Sequence, residues 1–185
     1  SRGLKVRLAG SHAAEIDCDC LGMSGGWSPV VHLTSHGGIR PKYDEEIAAF
    51  VPGGFAQGHF AAGAVMGEFD IEACIAAGQE AGANAATHAG FAASARAVHG
   101  PGRRQRPFHI LPVWQPVALG KGKAFVDFQN DVTLADVKSA HLEGFESVEH
   151  LKRYTTLGMG TDQGKTANVN AIGLMAGYRD MPMQM

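Results

Sequence analysis

Cysteine is scarce in this 185-residue chain, limited to Cys18, Cys20 and Cys74. An odd number without paired spacing makes neither a disulfide framework nor a zinc ribbon, and the three are expected to be buried as small apolar filler. Long apolar runs are missing too. No stretch approaches the roughly 20 residues of a spanning helix, and the N-terminus lacks the charged-then-apolar pattern of a secretion signal. The expected compartment is therefore the cytoplasm, without membrane contact. There is no excess of charge of one sign either: 16 Lys and Arg face 18 Asp and Glu, a formal net charge of −2. That balance gives no reason to expect a nucleic acid as partner. The nine histidines are scattered. Neither His32 with His36 nor His141 with His150 has acidic or thiol companions at zinc-like spacing, so no metal site is expected.

What is present is a 45% hydrophobic share, that of a globular chain with a packed core, and 25 glycines, about twice the usual share. Leu4 to Leu8 alternates apolar and polar, and Ile16 to Met23 alternates again before Ser24-Gly25-Gly26, so two strands are expected. Asp44 to Val51, opening on Asp44-Glu45-Glu46, reads as a short helix ended by Pro52-Gly53-Gly54. Phe55 to Gly63 reads as an apolar strand with a turn. Asp70 is a plausible N-cap for a helix reaching about Arg96, with Ile71, Cys74, Ile75, Gly78, Ala81, Gly82, Ala85 and Ala89 on one face. Such a small-residue face lets a helix axis come close to a sheet or a ligand. His99 to Gly122, rich in Gly and Pro, reads as an extended connector. Its run Arg103, Arg104 and Arg106 is a solvated or subunit-docking strip rather than a nucleic-acid patch. Beyond it, Thr133-Leu-Ala-Asp136 has the form of a capping box opening a helix that Gly144 closes. A second helix from Ser147 to Gly158 and a third from about Lys165 to Ala176 follow, the first two packing as a hairpin. The chain starts at Ser1 without Met and stops at Met181-Pro-Met-Gln-Met185 without closing a motif, which suggests a piece of a longer polypeptide.

Two segments carry a resemblance. Asp17-Cys-Asp-Cys-Leu-Gly-Met-Ser-Gly-Gly26, followed by Phe55-Ala-Gln-Gly-His-Phe60, resembles the last pieces of flavin- and pyridine-nucleotide-dependent oxidoreductases of the disulfide-reductase type. Lys123-Ala-Phe-Val-Asp-Phe-Gln-Asn-Asp-Val-Thr133 through Gly144 to Thr166 is similar to the α-subunits of heterotetrameric sarcosine oxidases. The resemblance implies an α/β N-terminal part, residues 1–97, that is the closing portion of a dinucleotide-binding domain. A connector, 98–122, then leads to an all-α, ferredoxin-like helical domain, 123–177, and 178–185 begins a linker. It implies a parent oxidoreductase that oxidatively demethylates sarcosine, passes the one-carbon unit to tetrahydrofolate, and uses NAD and FMN together with FAD held in another subunit. The other subunits are the implied partners, and the isolated stretch is expected to be inactive. Related amine dehydrogenases carry a two-iron cluster in such a helical domain, which needs four thiolates. Aligned on Val132-Thr133 and Gly158-Met-Gly160, those positions are Asp127, Gln129, Asp162 and Ala167 here, so no cluster is expected.

Candidate site residues follow from the same comparison. Gly164-Lys165-Thr166 at a helix start invites a phosphate-loop reading, yet a Walker sequence needs Gly where Met159 stands. Exposed amides, a Lys charge and a Thr hydroxyl still suit a flavin phosphate, and FMN in this family lies where α and β subunits meet; the plainer reading is a helix cap. Phe55-Ala-Gln-Gly-His59 stands where disulfide-reductase relatives often carry Ala-Gly-Asp. His59 there removes the acid that would bind flavin, so the resemblance points Gly58, His59 and the helix capped by Asp70 to NAD, against plain sheet-to-helix packing. No residue is expected to be catalytic. Two alternatives stand beside this reading: a structural module that only joins subunits, and a subunit of a dehydrogenase for another secondary amine, such as proline or an opine.

Overall fold

The computed structural model describes residues 3–8, 12–95, 109–116 and 122–183. The basic run at Arg103, Arg104 and Arg106 lies outside them, as does the expected helix end at Arg96. The chain divides into two compact units, one made of the residues up to Gly26 with Val113–Met183, the other of Trp27–Pro112. The sheets of the described residues are two-stranded and antiparallel.

In the first unit, β1 (Leu4–Leu8) pairs with β2 (Ala14–Cys18), Leu4 opposite Cys18 and Val6 opposite Ile16. Alternation puts Lys5, Arg7, Glu15 and Asp17 on the other face, where Arg7 Nε and Nη2 reach Glu15 Oε1 at 3.0 and 2.8 Å. These exposed pairs fix register more than they stabilise. The second strand stops at Cys18, opposite Leu4, five residues short of the Met23 expected for it. Cysteine burial also differs from expectation: Cys20 is exposed, and Cys18 and Cys74 are only half-buried.

The C-terminal part of the unit is not all helical, because three helices, α3 (Leu134–Leu142), α4 (Val148–Thr155) and α5 (Asn168–Arg179), pack with a small hairpin, β5 (Phe125–Asp127) with β6 (Val132–Thr133). α3 (Leu134–Leu142) starts with the expected capping box. The Thr133 amide and hydroxyl donate to Asp136 Oδ2 at 2.8 and 2.7 Å, and the Asp136 amide returns to Thr133 Oγ1. α4 (Val148–Thr155) begins at Ser147, whose Oγ accepts from the His150 amide at 3.1 Å, and stops before Gly158 because Thr156 turns left-handed. α5 (Asn168–Arg179) starts three residues later than Lys165 and runs past Ala176. Its Leu174 and Met175 join Val137, Ala140, Leu151 and Leu157 in an apolar core. Trp114, expected in a bare connector, packs on that core against Gly173, where any Cβ would overlap the indole.

The second unit, which includes the single-turn helix α1 (His32–Ser35), departs most from the sequence reading. Asp44 to Val51 is a hairpin rather than a helix: β3 (Lys42–Asp44) pairs with β4 (Ala49–Val51) around a tight turn. Asp44 Oδ1 accepts from the Glu46 amide at 2.9 Å, a side-chain turn that competes with the helix. Tyr43 and Phe50 then pair across the strands edge to face, 5.3 Å apart. Ile47, Ala49 and Val51 form a small core with Phe69 beside it. Phe55 to Ala62 is irregular rather than a strand and leads into a 3-10 turn, Gly63–Met66. α2 (Ile71–His88) starts at the expected cap, with Asp70 Oδ1 accepting from the Glu72 and Ala73 amides at 3.1 and 3.0 Å. It buries no side chain, and Gly78 and Gly82 face open space.

Two outcomes follow. Gly173→Ala should lower stability by about 1–3 kcal/mol in urea melts and shift the Trp114 emission, as overpacking against an aromatic ring does. The Thr133 hydroxyl, then the Thr133 amide, hold the Asp136 carboxyl below its ordinary value of 3.8. A depressed folded value stabilises fully above that ordinary value and is lost as pH falls through the lower one. The urea midpoint should therefore fall on acidification through that window, and fall less in Asp136→Asn; an identical pH slope in both proteins would contradict it.

Candidate functional site

The densest polar constellation is built where the β5–β6 hairpin meets the loop between α4 and α5. Asp127 ends β5 with its side chain turned inward, 1% exposed. Its Oδ1 accepts from the Gln129 and Asn130 amides at 2.8 and 3.3 Å, closing the hairpin turn. Its Oδ2 accepts from the Gly158 amide at 2.7 Å, across 31 residues of sequence. Gln129 repeats the connection, its Oε1 accepting from the Thr161 hydroxyl at 2.9 Å and the Asp162 amide at 3.3 Å, and Asn130 Nδ2 donates to the Thr156 carbonyl at 3.0 Å.

Asp162 organises the next turn. Its Oδ1 accepts from the Gly164 amide at 3.0 Å, and its Oδ2 from the Thr166 amide and hydroxyl at 3.2 and 2.6 Å. The Thr166 hydroxyl and then the Gly164 amide hold this carboxyl below its usual range. A protein carboxylate thus occupies the amides and hydroxyl on which a phosphate was expected to sit. Lys165 is exposed, and among the described residues no ion pair engages it.

A second feature is an open cleft of about 420 Å³ beside α2, lined by His59, Phe60, Met66, Glu68, Glu80 and Asn84 among others. His59 reaches it from a turn that contains Gly58 and is closed by the His59 amide on the Ala56 carbonyl at 3.0 Å. Gly58 is left-handed at φ +78°, and a Cβ there would stand 3.0 Å from His88 Nε2. Asp70 is far from this contact. It caps the start of α2 whereas His88 ends it, and an 18-residue helix is about 27 Å long. The structure does not bring Gly58 and Asp70 together.

Residues 121–185 match the model of the sarcosine oxidase A3 domain. Three curated relatives extend the match over nearly the whole chain. The sarcosine oxidase subunit alpha of Rhizobium meliloti (strain 1021) is 40% identical over 92% of the chain. Those of Corynebacterium sp. (strain P-1) and Corynebacterium sp. (strain U-96) are 41% identical over 86% and 40% identical over 89%. Over nearly its whole length the chain is similar to sarcosine oxidase α-subunits. It spans 17% of the length of each of these relatives.

Of the four positions at which the sequence resemblance led us to expect lost cluster cysteines, Asp127, Gln129 and Asp162 come together, and the fourth, Ala167, is fully buried in the core. They are joined by hydrogen bonds between protein groups. Among the described residues no group of three His, Cys, Asp or Glu could hold a metal ion, and no helix is long and apolar enough to cross a membrane. The sequence reading named Gly164, Lys165 and Thr166 but not their partner Asp162 as a ligand, nor the links from Asn130 and Thr161. The pattern Asp-x-Gly-x-Thr, with an acid two and four residues ahead of its donors, was the available local signal.

Asp127→Ala should cost about 3 kcal/mol, because the Gly158 amide loses a charged acceptor in a buried position. Urea unfolding measures it; a change under 1 kcal/mol would mean that water replaces the carboxylate.

Proposed function

We propose that the chain works inside the α-subunit of an oxidoreductase assembly that oxidatively demethylates sarcosine and passes the one-carbon unit to tetrahydrofolate in the cytoplasm. Its own contribution is a contact module joining this subunit to the others. The observation that carries the second half is the Asp162 carboxylate, which takes the Gly164 and Thr166 amides and the Thr166 hydroxyl. A phosphate brought to that turn would meet a like charge and would have to break three hydrogen bonds. The residues at the turn therefore do not fit a closed FMN phosphate site. Gly58, His59 and Asp70 do not fit an NAD site either. Asp70 already satisfies the first amides of α2, and Glu68 and Glu80 line the cleft at His59. NAD and FMN are held by other parts of the assembly in this reading. The arrangement at Asp127, Gln129 and Asp162 replaces a metal site with cross-links that keep the outer turn in one conformation.

One observation favours a narrower second reading, in which the segment lies beside FMN. The exposed ammonium of Lys165 is free to meet an anion from outside the unit, even though Gly164 and Thr166 are engaged. The two readings separate in the assembled enzyme. Lys165→Ala should leave FMN content, the visible flavin spectrum and turnover unchanged, while Asp162→Ala should reduce recovery of intact assembly in size-exclusion chromatography. Loss of FMN from Lys165→Ala would establish the second reading over the first.

A further inference from the structure

We infer that the cleft beside α2 binds a small organic cation with an apolar body. The observations come from shape and charge together. At about 420 Å³ the cleft falls within the range of small-molecule sites. Ala77 and Ala81 supply a smooth floor from α2, because side chains four apart share a helix face. Phe55, Phe60 and Met66 stand around it, each a little over a third exposed, so their apolar surfaces are open to a ligand. Phe60 also meets His88 in an edge-to-face arrangement, ring centres 6.0 Å apart.

The polar groups choose the sign of the ligand. Glu68 and Glu80 both line the cleft, no Lys or Arg does, and among the described residues neither glutamate is ion-paired. Glu68 Oε1 accepts from the Asp70 amide at 3.1 Å, which fixes that carboxylate in place. Asn84 adds an amide that can donate or accept. Aromatic faces beside carboxylates attract an ammonium group through the ring quadrupole and through charge, and both effects repel a pyrophosphate. The cleft therefore selects an amine or a quaternary ammonium carrying a hydrophobic group, and rejects a dinucleotide.

The test is a titration of the isotope-labelled chain with benzyltrimethylammonium chloride at low ionic strength, followed by backbone amide shifts near His59 and Asn84. Saturable shifts at both places are expected. Affinity should fall about threefold in Glu80→Gln and likewise in Phe60→Leu. Glu80 is exposed, so its variant tests charge without disturbing the fold. Neutral benzyl alcohol should bind more weakly, and NAD should give no saturable shift at these amides. The inference is overturned by the absence of saturation with the cation, by equal binding of benzyl alcohol, by full affinity in Glu80→Gln, or by NAD saturating the same amides.

Discussion

A carboxylate removed from water needs donors aimed at it, and the C-terminal part of the first unit is arranged around meeting that need for Asp127. Two of its donors come from its own hairpin turn and one from Gly158 in the loop after α4. Satisfying one buried side chain thereby ties the β5–β6 hairpin to the helices. The same junction carries the Gln129 and Asn130 links, so the loop from Thr156 to Asp162 is held at several points along its length. Beneath it lies the core of Val137, Leu151, Leu157 and Met175, which supplies the burial energy, while the polar layer supplies register.

What could be read from sequence was what is local. The Thr133–Asp136 box and the Asp70 cap each depend on residues within three positions, and each stands where the pattern put it, whereas Ser147, expected to open a helix, caps it instead. The Asp44 hairpin was misread because an acidic triplet looks like a first helical turn. The deciding contacts, the Asp44 side-chain turn and the Tyr43–Phe50 pair, have no helical periodicity to announce them. Chemistry was half legible in the same way. The resemblance singled out Asp127, Gln129, Asp162 and Ala167, but the hydrogen bonds that engage the first two span 31 residues from Asp127 to Gly158 and 32 from Gln129 to Thr161.

Caps and ligands compete for the same donors. Helix starts and glycine turns attract attention as anion sites because their amides are unsatisfied in the abstract. In this chain Asp70 and Asp162 meet those amides from within, so the features that made Gly164, Thr166 and the start of α2 attractive are already spent on folding.

α2 stands apart from the rest. Eighteen residues long with no side chain buried, it has little tertiary packing to hold it and relies on alanine content, its Asp70 cap and its own ladder of backbone bonds. Gly78 and Gly82 each weaken that ladder by about 1 kcal/mol relative to alanine. In the folded chain, amide protons along α2 therefore exchange with solvent through local opening, well ahead of those in α5, where Ala171 to Met175 are sealed.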